Sequence, residues 1–325
     1  IEGFAGLQIS KAEASIPSLA INPAVLVQAE ARGPVADVLA FVKTSPWGAM
    51  TNNVLSQATA TGNADYRVRL NLPLAELVKT QVQGSITLAG NDVRFTPSTP
   101  LLAHARGVVG FTERGFQISG AQAGLLGGDI RFEGGMRPAT RNQPESIVSF
   151  HGEGVATAEG MRAEKDLGFL ARIAQNVSGS TPYAATLSFQ KGEPELSVAS
   201  SLQGMGVNLP APLAKPPETA LPLRYDNSLV RNPQTNALVP SQDRLSIQLG
   251  QVLAADFVRD VSGTVPLALR GGIGIGLEPG ETAPVPEEGV VANVNLSRVD
   301  LDAWKRLLGT NDAGGAEDPV TQSYL

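Results

Sequence analysis

Apolar and polar residues alternate along most of this chain with a period of two. In the stretch YRVRLNL, the residues Tyr66, Val68, Leu70 and Leu72 occupy one set of alternate positions. Successive side chains of a strand point to opposite faces of a sheet, so this pattern predicts a strand with one apolar and one wet face. The same alternation recurs at further apolar positions: Ile86, Leu88, Ile130, Phe132, Tyr183, Leu187, Phe189, Leu196, Val198, Leu245, Ile247, Leu249, Val294 and Leu296.

Glycines and prolines interrupt the alternating stretches at short intervals, as expected of many antiparallel strands joined by turns. Helical periodicity is confined to three stretches, Pro34–Ser45, Ala158–Asn176 and Asp300–Gly309. Three short helices cannot cover a sheet of this size. The sequence therefore predicts an all-β fold with minor α content, built on an elongated, twisted antiparallel sheet.

A repeat becomes visible when the strands are aligned with one another. Gly62 and Tyr66 precede one alternating strand, and Gly179 and Tyr183 precede another, 117 residues later. Downstream, NDVRFTPSTPLL aligns with MGVNLPAPLAKP at a slightly smaller offset. We interpret these matches as two loosely similar β units. The proline-rich stretch of the second unit is predicted to be a rigid turn, because proline cannot donate to a strand ladder.

These signals suggest a division of the chain into four parts. Residues 1–60 are predicted to form a strand and a linker helix that lead into the repeats. Residues 61–157 form the first β unit, and residues 158–309 form the second, with helices at its start and end. Residues 310–325 are predicted to be a mobile tail, as their composition is that of a linker.

Composition narrows the class of function. The net charge of −6 argues against binding to nucleic acid, which requires clustered Lys and Arg. The chain has no cysteine, so disulfides and thiolate chemistry are excluded. It contains no membrane-spanning apolar stretch, and it starts at Ile1 rather than Met. We interpret it as a fragment whose targeting and anchoring segments lie outside it.

Candidate catalytic residues are sparse. The histidines are His104 and His151, near strand ends, and no G-x-S-x-G motif accompanies a base. The GGIGIG stretch at Gly271–Gly276 continues as a strand, whereas a dinucleotide fingerprint requires a following helix. We therefore expect no catalytic residues, no metal site and no cofactor, and we predict that the protein is not an enzyme.

Several motifs that contain glycine, leucine or proline are spread along the chain. They include VADVLAFVKTSPWG, LNLPL and LLGGDIRFEGG, and the closing VDLDAWKRLL with Asp300, Asp302 and Trp304. The longest is a serine, glycine and proline motif followed by ALPLR, carried by Ser201, Leu202, Gly204, Leu209, Pro210, Pro212, Leu213 and Lys215. Together, these motifs resemble the YhdP branch of the AsmA-like proteins of the Gram-negative envelope. The resemblance extends from about Gly33 to Leu308.

This resemblance implies a periplasmic protein tethered to the inner membrane through a segment outside this chain. Its repeated β units would form an open groove that conducts the acyl chains of phospholipids between the inner and outer membranes. The alternating apolar residues named above are then the candidate groove lining. Expected partners are phospholipids, the remainder of the same long chain with its anchor, and inner- or outer-membrane proteins.

Two other functions remain open at this point. The protein could be a structural or adhesive β-repeat scaffold whose apolar face is an ordinary closed core. It could also be a carbohydrate-active β enzyme, although no pair of facing carboxylates is evident. The groove hypothesis predicts that a charge at Leu187 leaves the fold intact, whereas a closed core predicts unfolding.

Overall fold

The computed structural model describes residues 6–302, with gaps at 20–21, 45–54, 98, 138–146, 165–172 and 191–192 and at positions 233, 236, 264, 279–280, 282, 297, 299 and 301. Strands account for 62% of the residues and helices for 9%. The predicted all-β class with minor helix is therefore confirmed. The predicted helix at 300–309 and the tail at 310–325 lie almost wholly outside the described residues.

The chain forms two compact units. The first comprises Ile1–Ala156, Ala163–Gly168 and Thr186–Pro194, and the second comprises Thr157–Arg162, Phe169–Ala185 and Glu195–Leu325. Strand β10 (Val177–Gln190) begins in the second unit, and its last residues belong to the first.

The sheet of the first unit is antiparallel. Its strands are β1 (Gln8–Ser15), β2 (Ala24–Pro34), β3 (Thr59–Ala60), β4 (Asn63–Pro73), β5 (Gln81–Arg94), β6 (Leu102–Thr112), β7 (Gly115–Leu125), β8 (Gly128–Arg137) and β9 (Ile147–Thr157). The ladder runs β1-β2-β4-β5-β6-β7-β8-β9, and the short β3 also pairs with β5. A 3₁₀ turn, Leu77–Lys79, lies between β4 and β5.

The two faces of this sheet differ as the alternation predicts. On β4, Ala64 and Tyr66 are buried, whereas Asp65 and Arg67 between them are exposed. On the exposed face, Asp65 forms an ion pair with Arg32 of β2 at 3.6 Å. Such exposed pairs add little stability. The free energy of folding must come mainly from the apolar face, where water is removed from hydrocarbon.

The first helix, α1 (Val35–Thr44), begins where β2 ends. Asp37 lies in its first turn and Lys43 in its last, which complements the helix dipole. Two contacts tie the ends of α1 to the sheet. The backbone N–H of Val35 donates to the carbonyl of Gly62 at 3.0 Å, and the Nζ of Lys43 donates to the carbonyl of Ala58 at 3.0 Å.

The second unit continues with antiparallel strands and one parallel pair. Its elements are α2 (Ala158–Ala163), a 3₁₀ turn (Ala174–Asn176), β10, β11 (Glu193–Ser200), β12 (Met205–Val207), β13 (Leu223–Arg231), β14 (Leu238–Leu249), β15 (Leu253–Asp260), β16 (Leu267–Ile275) and β17 (Gly289–Val294). Strands β16 and β17 pair in parallel. This pair is an exception to the predicted antiparallel pairing, because the connection after Ile275 returns the chain to the same end of the sheet.

The repeat is reflected in the backbone. Gly62 and Gly179 both adopt left-handed conformations, with φ of 76° and 81°, which glycine adopts without steric cost. In the first unit, Ala60 of β3 pairs with Val93 of β5. In the second, Val177 of β10 pairs with Val207 of β12. In both repeats, the residue two positions before the glycine of the G-x-x-x-Y motif thus forms the same kind of antiparallel pair.

The proline-rich stretch after β12 forms backbone hydrogen bonds with β12 and with the residues just before it. Val207 and Lys215 exchange backbone hydrogen bonds of 2.8 and 2.9 Å, and Gly204 donates to the carbonyl of Pro217 at 2.8 Å. The stretch therefore folds back along β12 as a short ladder. The side chain of Lys215 adds to these backbone hydrogen bonds. Its Nζ donates to the carbonyls of Met205 at 2.6 Å and Pro216 at 3.1 Å.

Lys215 is 5% exposed, which is unusual for lysine. Burial lowers its pKa, and the nearby Glu218 opposes that shift. The two carbonyl acceptors compensate for part of the desolvation of the ammonium group.

Candidate functional site

An apolar cavity of about 510 Å³ lies within the first unit. Its wall is built from α1, from residues 55–60 before β4, and from strands β1, β2 and β4–β9. The lining residues are Leu7, Ile9, Ala29, Ala31, Val35, Val38, Leu39, Phe41, Val42, Leu55, Ala58, Ala60, Tyr66, Val68, Val82, Ile86, Leu88, Val93, Phe95, Leu102, Ala105, Val109, Phe111, Thr112, Glu113, Gly115, Phe116, Ile118, Phe132 and Phe150.

The polar side chains among these residues are few and grouped. Thr112 and Glu113 lie at the end of β6, and a carboxylate oxygen of Glu113 accepts a hydrogen bond from the N–H of Val82 at 3.2 Å. The exposed Arg114 lies 3.4 Å from the other carboxylate oxygen. The β6–β7 turn therefore gives the cavity one polar edge, whereas the rest of the wall consists mainly of apolar side chains.

Helix α1 packs against the sheet through a buried cluster of Val35, Ala64 and Tyr66. The Tyr66 hydroxyl donates to the carbonyls of Gly33 and Pro34, each at 3.2 Å. Burial raises the pKa of Tyr66 from 10.0 to about 12, with Asp37 and Asp65 adding to the shift. The phenol therefore stays neutral and fastens the junction between β2 and α1.

A second cluster, the phenylalanine cluster, consists of the buried Phe150 and Phe189 and the partly buried Phe95 and Phe116. The ring centroid of Phe150 lies 5.2 Å from that of Phe95, 6.2 Å from that of Phe116 and 6.3 Å from that of Phe189. These are the separations at which aromatic pairs attract. Phe95, Phe116 and Phe150 face the cavity, whereas Phe189 is fully buried and absent from its wall.

The cavity is accessible at its α1 and β1 side. Ile9 of β1 is 49% exposed and Phe41 of α1 is 45% exposed, although both contribute to the wall. An apolar ligand could enter where these side chains meet solvent.

The predicted lining residues of the first unit divide into two groups. Tyr66, Val68, Ile86, Leu88 and Phe132 line the cavity. The others named in this unit are not among the lining residues. They are Leu70, the buried Ile130, and Leu187 and Phe189, which pack in or against the phenylalanine cluster.

In the second unit, strand register aligns most of the predicted residues on one face. Leu196 and Leu245 both pair with Asn227. Val198 and Ile247 both pair with Tyr225, and Leu249 lies two residues beyond Ile247. Tyr183 is 8% exposed. Val294 is 51% exposed, and Leu296 follows β17 at a half-buried position.

A buried polar group interrupts this face. Asp243, two residues before Leu245, accepts hydrogen bonds from Arg259 at 2.9 and 2.7 Å and from Asn227 at 2.9 Å. Asp243 is 6% exposed. The bidentate geometry compensates for the desolvation of both charges.

Sequence reasoning missed the contribution of α1 and of β6 to the cavity. The helical spacing of Val35, Val38, Leu39 and Val42 was visible, but a helix pattern does not reveal which surface it covers. On β6 the alternating positions Ala105 and Val109 are separated by Gly107, which weakens the apolar signal. The positions of these residues depend on how the sheet curves.

Both histidines have polar side-chain neighbours among the described residues. His104 is exposed beside Asp92, with Nδ1 3.7 Å from the carboxylate, and Nδ1 of His151 lies 2.9 Å from the Thr186 hydroxyl. Within the described parts of the chain, no group of three or more His, Cys, Asp or Glu residues could hold a metal ion. No helix among the described residues is long and apolar enough to cross a membrane.

These features define a β-repeat protein whose first unit encloses an apolar cavity. The chain belongs to the YhdP family, since the family model described as YhdP protein matches residues 3–322. Comparison with curated proteins and with solved structures gives no significant match.

Proposed function

We propose that this chain is a segment of an envelope lipid-transport protein and that the first-unit cavity holds acyl chains of phospholipids. The observation that carries the proposal is the cavity of about 510 Å³ with an almost wholly apolar wall. Membership in the YhdP family is consistent with this role. We further propose a periplasmic location, with tethering to the inner membrane through another part of the full protein.

The physical task is to shield hydrocarbon from water. Exposing a sixteen-carbon chain costs about 12 kcal/mol, at about 0.8 kcal/mol per methylene. A wall of Val, Leu, Ile and Phe removes most of that cost. It offers few hydrogen-bonding groups, so a chain can slide along it without breaking directional contacts.

A closed-core scaffold accounts less well for the same wall. Protein cores pack at the density of organic crystals and rarely leave voids larger than a water molecule. A cavity of this volume would forfeit dispersion contacts along its whole lining unless a ligand supplied them. We also propose that the protein has no catalytic activity of its own, because transfer of an acyl chain along a wall requires no bond to be made or broken.

Binding of a fluorescent acyl probe tests the proposal. We expect the purified chain to bind cis-parinaric acid saturably and to release it on addition of phospholipid. Adjacent valines on β6 provide a matched pair of variants, because Val109 lines the cavity whereas Val108 is 43% exposed. Val109→Asp should lower probe affinity at least tenfold, and Val108→Asp should leave it unchanged.

Thermal melting followed by circular dichroism completes the test. In a ligand cavity the introduced carboxylate can stay hydrated, so Val109→Asp should melt close to the wild type. Unfolding of Val109→Asp with a folded Val108→Asp would favour the closed-core scaffold, since an unpaired carboxylate in a sealed core is very costly. Absence of probe binding by the wild-type chain would contradict the proposal directly.

A further inference from the structure

Phe95, at the start of the connection between β5 and β6, contacts Phe150 on the apolar face of the first unit. Phe95 directly follows β5, and Phe150 lies on β9, four strand positions away along the ladder. In a flat sheet these strands would lie about 19 Å apart, at about 4.8 Å per spacing. The ring centroids of Phe95 and Phe150 are 5.2 Å apart, so the aromatic contact spans the concave face.

Local hydrogen bonds hold this connection in place. Thr96 donates its N–H to the hydroxyl of Thr99 at 3.0 Å, and that hydroxyl donates to the carbonyl of Thr96 at 2.9 Å. Arg94 donates from Nη1 to the carbonyl of Pro97 at 3.3 Å. Phe95 thus projects from a fixed turn.

The phenylalanine cluster contributes part of the cavity wall. Phe95, Phe116 and Phe150 form part of its wall, and Phe189 lies fully buried behind them. Leu187 packs against the same cluster without reaching the cavity. An acyl chain that advances toward the cluster therefore meets aromatic rings.

We propose that Phe95 is a specificity-determining residue that limits how far an acyl chain enters the first-unit cavity. This inference rests on the proposed function. The ligand class is an unbranched acyl chain, and the limit is set by the Phe95 ring together with the phenylalanine cluster. Below the limit, each further methylene is buried on binding. Above it, further methylenes remain in water.

Affinity as a function of chain length tests the proposal. The probes are straight-chain fatty acids that differ by two carbons, displacing cis-parinaric acid from the purified chain. For the wild type, we expect the dissociation constant to fall by about fourfold per methylene up to a limiting length and then to level off. In Phe95→Ala the limiting length should increase by about two to four methylenes, since the lost ring has the volume of a few CH₂ groups.

Two further variants separate this role from general packing. Phe95→Leu keeps an apolar side chain at the site and should lengthen the limit by less than Phe95→Ala, which covers the case in which the alanine variant fails to fold. Phe41→Ala removes a lining phenylalanine outside the phenylalanine cluster. It should weaken binding of all chain lengths by a similar factor without moving the limit.

The possible outcomes distinguish the inference about Phe95 from the proposed function on which it rests. A longer limit in folded Phe95→Ala or Phe95→Leu supports the inference. An unchanged limit in folded variants that bind fatty acids overturns the inference and leaves the proposed function standing. A wild-type chain that binds none of the fatty acids overturns both.

Discussion

Tyr66 and Tyr183 occupy matching positions in the two repeats, yet their hydroxyl groups differ in hydrogen bonding. Each tyrosine follows a left-handed glycine by four residues and is more than 90% buried. The Tyr66 hydroxyl donates to the carbonyls of Gly33 and Pro34. The Tyr183 hydroxyl is buried without a hydrogen-bond partner in the described structure. Both repeats thus bury the tyrosine ring, but in the described structure the hydroxyl is hydrogen-bonded in the first repeat and not in the second.

This difference predicts opposite effects of removing the two hydroxyls. Tyr66→Phe removes the single hydroxyl hydrogen that the carbonyls of Gly33 and Pro34 share and should lower the free energy of unfolding by about 1 to 3 kcal/mol. Tyr183→Phe removes an unsatisfied buried group and should be neutral or stabilising by up to about 1 kcal/mol. Urea unfolding of both variants measures the difference. Equal destabilisation by the two substitutions would contradict the hydrogen-bonding assignment.

Alkaline pH should destabilise the fold through the same residues. Burial raises the pKa of both Tyr66 and Tyr183 from 10.0 to about 12. A folded-state pKa above the unfolded value means that the folded state favours the protonated phenol, so this stability is complete below about pH 10 and is lost as pH rises toward 12. Melting temperature and tyrosinate absorbance should report this loss, and it should be smaller in Tyr66→Phe. Ionisation of all tyrosines near pH 10 in the folded protein would contradict the prediction.

The proline-rich ladder provides a third prediction. Lys215→Met keeps the apolar stem but removes the donor to the Met205 and Pro216 carbonyls, and we expect a loss of about 1 to 3 kcal/mol. Lys79→Met is the control, because the Lys79 side chain is 69% exposed in a surface pair with Glu76. The control should be neutral in the same chemical unfolding experiment. A neutral Lys215→Met would mean that the buried ammonium does not stabilise the ladder.

We expect two ion pairs of the second unit to contribute differently to the free energy of unfolding. Asp243→Ala leaves the largely buried Arg259 without its bidentate partner and should cost about 3 kcal/mol or more. Asp256→Ala breaks a pair with Arg244, whose side chain is 54% exposed, and should cost no more than about 1 kcal/mol. Thermal unfolding compares them, and a larger effect for Asp256→Ala would contradict the burial argument.

Strand positions were predictable because a one-sided sheet imposes a period of two. The burial of Ala64 and Tyr66 between exposed Asp65 and Arg67 follows directly from that pattern. Helix α1 was predictable for a similar reason, since Pro34–Ser45 is close to the observed Val35–Thr44. These signals are local, and neighbouring residues suffice to reveal them.

The cavity boundary was not predictable, because it depends on contacts between distant strands. Nothing near Leu187 in the sequence shows that it packs against the buried cluster of Val148, Phe150 and Phe189. With this packing, we expect a charge at Leu187 to unfold the first unit, so Val109 is the better position for testing the cavity. The sequence of the proline-rich stretch likewise predicts a turn and does not reveal that Lys215 pairs with Val207.

Site-specific photo-crosslinking tests the central claim most directly. A photoreactive amino acid would be placed at Val109, which lines the cavity, or at the adjacent exposed Val108, in the full protein in its native envelope. After irradiation, mass spectrometry of the purified protein would identify attached molecules. We expect phospholipid adducts at position 109 and none at position 108. Folded protein with no lipid adduct at position 109, or with equal adducts at both positions, would contradict a cavity that holds acyl chains.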